Sequence, residues 1–102
     1  MEIRQFAEQV LYGDLLSDKA EGPDSFRDDK PGPAVVDEVW PSRPASIPLI
    51  ADKAIPPAPT PTGIEKLNQR SWALHSFAHH ELQALELMAL ALLRWPDAPR
   101  GF

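Results

Sequence analysis

Three imidazoles and two carboxylates, His75, His79, His80, Glu81 and Glu86, fall within one short and otherwise apolar run, His75-Ser-Phe-Ala-His-His-Glu-Leu-Gln-Ala-Leu-Glu86. Burying such groups needs partners or a metal, and together they read as one wall of a metal site. An ionised carboxylate taken out of water needs a compensating cation or shifts its pKa. His75 and His79 stand one helical turn apart, the spacing at which two imidazoles share a metal, and Glu86 lies two turns beyond His79. The same imidazoles could instead stand beside a metal carboxylate, orienting it by hydrogen bonding, and a histidine pair at this spacing is more often structural than metallic. Glu81 is flanked by Ala78 and Leu85, with Lys66 and Arg70 too far along the helix to pair with it. Its cation is therefore a metal ion, or an Arg or Lys on another helix, unless the carboxyl is neutral. His80 projects toward a polar stripe and is expected to be solvated.

These residues need a helix, and the sequence supplies one. Thr62-Gly-Ile-Glu65 has the form of a capping box. The run that follows has no internal breaker until Trp95-Pro96, where Arg94 also suits the negative end of the helix dipole. A helix over 63–95 is on the order of 48 Å long. Projection at 100° per residue puts Leu74, Ala78, Glu81, Leu85, Met88 and Leu92 on one side and His75, His79, Leu82, Glu86, Ala89 and Leu93 on the adjoining side. Ser76, His80, Gln83 and Arg94 make the polar stripe. A helix this apolar is expected to be buried against several neighbours, more than the rest of the chain supplies.

Upstream, residues 2–18 carry Ile3, Phe6, Val10, Leu11 and Leu15 at helical spacing, which predicts a short amphipathic helix that docks on something larger. Between Gly22 and Gly63 lie ten of the chain's 12 prolines. That density removes amide donors and fixes φ too often for helix or sheet, so the segment is expected to run extended. Val35, Val36, Val39, Trp40, Ile47, Leu49 and Ile50 make it a strap laid along helices in preference to a free tether. Pro57-Ala-Pro-Thr-Pro-Thr62 is also a conceivable ligand for a polyproline-binding groove. The organisation is thus a helix over 1–20, a strap over 21–62, the long helix over 63–95 and a loop over 96–102.

Composition bounds the function. With 102 residues, much of them strap, the core is small and needs a partner, a metal or further chain. A net charge of −5 and no cluster of Lys and Arg argue against nucleic acid. Absence of cysteine rules out disulfides, zinc-thiolate sites and iron–sulfur clusters and suits a reducing compartment. The N-terminus lacks the order of a signal peptide, and the apolar run 82–93 is too short to span a bilayer. A cytoplasmic, homo-oligomeric protein without membrane contact is the expectation.

The run from Arg70 to Leu87 resembles the first bundle helix of the bacterial ferritin-like family called domain of unknown function 455. That family shows, after an Arg, the pattern met here as His75, His79, Glu81-Leu-Gln-Ala84 and Glu86. Pro41-Ser-Arg-Pro44 resembles its strap, and the N-terminal helix leading into Gly13-Asp14 and Lys19 resembles its opening. The resemblance implies an all-α, ferritin-like bundle portion, completed by missing C-terminal bundle helices or by further copies. It implies iron or manganese, with Glu81, His79 and Glu86 as ligands and His75 and Gln83 supporting them, and oxygen-dependent oxidation in the complete protein. Ferritin-like dinuclear sites also require Glu-x-x-His pairs, and this chain has none. Ala84 and Ala89 stand where those histidines would be. The other reading is a non-enzymatic helical oligomerisation or interaction module, in which the long helix docks on a partner and Glu81 pairs with a partner Arg.

Overall fold

The computed structural model describes residues 1–49 and 60–99. Its regular structure is all-α: helices α1 (Ile3–Tyr12), α2 (Leu16–Ala20) and α3 (Leu67–Arg94), with a 3-10 turn at Gly63–Glu65. No strand occurs among the described residues. The chain divides into two units, Met1–Pro48 with Leu85–Phe102, and Leu49–Ala84.

In the first unit the amphipathic spacing of α1 does what it predicts. Ala7, Val10 and Leu11 are buried in one cluster with Ala89 and Leu93 of α3, and Phe6, Val35, Val39, Leu85 and Leu90 pack against it. The expected single helix over 2–18 is corrected to two. α1 stops at Tyr12 and Gly13 turns extended (φ −68°, ψ 137°). A Cβ on Gly13 would lie 2.5 Å from the Gln9 carbonyl oxygen, so the chain can pass here only without a side chain. Leu15 then donates its N–H to Asp18 Oδ2 (3.2 Å) at the start of α2. As a result Leu15, placed by the periodicity on the apolar stripe, is exposed.

From 21 to 49 the chain runs without helix or ladder, as its prolines require. Backbone bonds fasten it. Arg27 N donates to Met1 O (2.9 Å) and Ile3 N to Arg27 O (2.8 Å), while Val35 N donates to Leu93 O (2.9 Å) and Ser42 N to Leu11 O (2.9 Å). Glu2 Oε2 accepts from the amides of Asp29 and Lys30, both at 3.0 Å. Arg4 Nη1 donates to Pro31 O and Pro33 O, both at 2.7 Å. Between those carbonyls Gly32 takes φ +68°, where a Cβ would meet the Arg4 guanidinium. Of the apolar strap residues, Val35 and Val39 pack inward but Val36 and Trp40 are exposed. Ile50, Pro56, Pro57 and Pro59, with the polyproline-ligand reading, lie outside the described residues, as does 100–102.

The second unit holds the 3-10 turn and α3 up to Ala84. The capping box at Thr62 is corrected. The Thr62 side chain makes no cap bond; instead Thr60 Oγ1 accepts from Gly63 N (3.0 Å). The segment closes as a tight turn, Lys66 goes extended (φ −83°, ψ 137°), and the α-helix begins at Leu67. At 28 residues α3 is about 42 Å long. It ends at Arg94, before Trp95-Pro96, and Arg94 Nη2 reaches the Asp37 carbonyl (2.8 Å).

The two apolar sides of α3 are not both covered. In the first unit Glu86, Ala89 and Leu93 are buried, whereas Leu87 and Met88 are exposed. In the second, Ala73 is buried while Leu67, Leu74 and Phe77 are 75, 69 and 63% exposed. Among the described residues no helix is long and apolar enough to cross a membrane.

Candidate functional site

The concentration of charge inside this protein is at Glu86. Its position on α3 is fixed by Ala89 and Leu93, one and two turns on, which carry the same face into the α1 cluster. Glu86 therefore points inward with its side chain 3% exposed. Two cations meet it. Lys19, the basic residue in the last turn of α2, brings Nζ to 2.8 Å from Glu86 Oε2 with its side chain fully buried. Arg43, from the strap, donates Nε to Oε2 (2.8 Å) and to Oε1 (3.0 Å), and Nη2 to Oε1.

The surplus positive charge is met by carbonyl dipoles. Lys19 Nζ donates to Val10 O (2.6 Å) and Arg43 Nη1 to Ile47 O (3.3 Å). Val10 O is one of the carbonyls that the end of α1 leaves without an intrahelical donor. Gln9 O takes Gly13 N and Leu11 O takes Ser42 N, so the C-terminal turn of α1 is finished by a glycine, a lysine and the strap. Burial by itself raises the Glu86 carboxyl; Arg43 first and then Lys19 override it and hold the group below its usual value of 4.5. The carboxylate is ionised and both of its oxygens accept from Lys19 or Arg43, so its negative charge is already answered by two cations. The arrangement clasps α2, the strap and α3 together.

The other residues singled out by their chemistry stand on the part of α3 that belongs to the second unit. Glu81, expected among apolar neighbours and in need of a cation, is exposed. His75 is exposed and stacks on Trp72 (ring centroids 6.0 Å apart). His79 is half-buried, and His80 and Gln83 are exposed. Among the described residues no three His, Asp or Glu side chains are gathered to hold a metal ion. With Glu86 saturated by Arg43 and Lys19, the donor set does not fit a dinuclear iron or manganese centre.

Lys19 and Arg43 are the functional residues that sequence reasoning did not assign. Both stand in segments already conspicuous, and Arg43 carries one physical signal: Pro44 restricts the residue before it to extended backbone, which presets the direction of its side chain. Nothing local couples either residue to a carboxylate 43 or 67 positions away.

Fold and site together define a small all-α protein whose buried polar centre is an ionic clasp. No family model, curated protein or solved structure matches the chain.

Proposed function

We propose that this chain is a non-enzymatic helical interaction module whose α3 presents apolar surface to partner helices. The observation that carries the reading is the exposure of large apolar side chains on α3 while its one buried carboxylate is already paired. Met88 and Leu87 in the first unit, and Leu67, Leu74 and Phe77 in the second, all lie open. Large apolar side chains left open along a helix are surface that a partner can cover. The resemblance to a ferritin-like first bundle helix supports the same use, since such a helix is covered by others.

Sedimentation over a concentration series, with and without EDTA, tests this. Helicity and mass are expected to be indifferent to the chelator, with a mass above one chain that falls on Met88→Asp. Loss of helicity and mass on chelation, or a single-chain mass at every concentration for both proteins, overturns it.

A further inference from the structure

The open surface of the second unit has a pattern that selects its own partner. Along α3, Leu67, Leu74 and Glu81 recur every seven residues, and Arg70, Phe77 and Ala84 recur every seven beside them. All six are exposed. This is the double seam of a helix that packs lengthwise on another. Its outer layers carry one charge of each sign, Arg70 toward the N-terminal end and Glu81 toward the C-terminal end, with the apolar Leu74 and Phe77 between them.

We infer that this seam pairs with the same seam of a second copy in antiparallel orientation, Arg70 facing Glu81 of the second copy. In that register Leu74 faces Phe77 of the second copy, and Leu67 faces Ala84, a large residue against a small one. Two-fold symmetry makes each contact twice. The charges exclude the alternatives. A parallel pair in register sets Glu81 on Glu81 and Arg70 on Arg70. Sliding an antiparallel copy by one heptad sets Glu81 against Phe77 or Gly63, so that neither charge finds its complement. Arg70 gives one N–H to Glu65 O (2.8 Å) and has four others to offer a carboxylate. Glu81 makes no ion pair within the described chain.

The inference rests on the interaction-module reading and names its partner. Its test is charge reversal in the full chain, read by sedimentation equilibrium with helicity checked on each protein. Arg70→Glu and Glu81→Arg are each expected to raise the dissociation constant about tenfold, since each replaces two attractions by two repulsions. The double reversal is expected to return it to within about threefold of the starting protein. A spin label on Ser71→Cys, in a chain with no other cysteine, gives a second readout. The antiparallel register offsets the two labels by about 13 Å along the axis at 1.5 Å per residue, and a parallel pair by none. Association that ignores the single reversals, or a double reversal that fails to restore it, overturns this pairing and leaves the module reading standing. A single-chain mass throughout removes the module reading as well.

Discussion

At Glu86 one carboxylate answers two buried cations, so the cost of removing it differs from the cost of removing all three groups. Glu86→Gln leaves Lys19 and Arg43 charged, buried and facing each other across an amide. Breaking a buried pair from one side costs about 3–5 kcal/mol, and the urea midpoint of this variant is expected to fall accordingly. Replacing the group as a whole, Lys19→Met with Arg43→Met and Glu86→Leu, removes the desolvation along with the attraction but leaves the Val10 and Ile47 carbonyls without their donors, and is expected to cost less than Glu86→Gln. Should the triple variant be as unstable as Glu86→Gln, the clasp contributes more than charge compensation. Acid gives a second handle on the same residue. The folded pKa of Glu86 lies below its usual 4.5, so its contribution is complete above 4.5 and is lost as pH falls through the folded value. Glu2 shifts the same way, held down by the Lys30 amide most of all. Glu86→Gln is therefore expected to flatten the acid side of the stability profile without levelling it, because Glu2 still titrates. An unchanged acid slope would show that Glu86 is not ionised in the clasp.

Among the elements, the break between α1 and α2 decides whether Lys19 can reach the clasp. Gly13 lets the chain reverse against Gln9 and Asp18, and Gly13→Ala pushes a methyl into the Gln9 carbonyl. Overpacking of this kind costs typically about 1–3 kcal/mol, which a thermal melt would show as a lowered midpoint; a midpoint equal to that of the starting protein would mean the turn has room the geometry denies. This break also marks where the sequence stopped being legible. Period-3.6 apolar spacing revealed α1, the breaker-free run up to Trp95-Pro96 revealed α3, and proline density revealed the strap, because those signals are local. Gly13 sits inside an otherwise continuous stripe, and by itself it does not predict a break, since a single glycine costs a helix only about 1 kcal/mol and tertiary contact decides the outcome. Thr62-Gly-Ile-Glu65 has the form of a capping box, yet the Thr62 side chain makes no cap bond, and Thr60 Oγ1 accepts from Gly63 N where the chain closes as a 3-10 turn. On α3 both sides were apolar, so composition could not say that Glu86 faces inward and Glu81 outward. That choice was made by Ala89 and Leu93 meeting α1, and by Lys19 and Arg43, which are remote in sequence.

For the whole molecule the question is what keeps so long a helix formed. Burial is uneven: among the described residues, Ala73 is the buried residue of the second unit, and the rest of the buried set, Leu11, Leu93, Lys19 and Glu86 included, belongs to the first. An unsupported helical segment of this length is marginal in water, because its stability in proteins comes from packing an apolar face. Amide hydrogen exchange on dilute protein is accordingly expected to show residues 85–94 protected at least about tenfold more than residues 67–84. Raising the concentration supplies the second copy that covers Leu74 and Phe77, and protection over 67–84 is expected to climb while that over 85–94 stays level. With Arg70→Glu the climb should need correspondingly more protein. Uniform protection along α3 at every dilution would mean that the helix holds itself, and that its open apolar seam is not where its stability is completed.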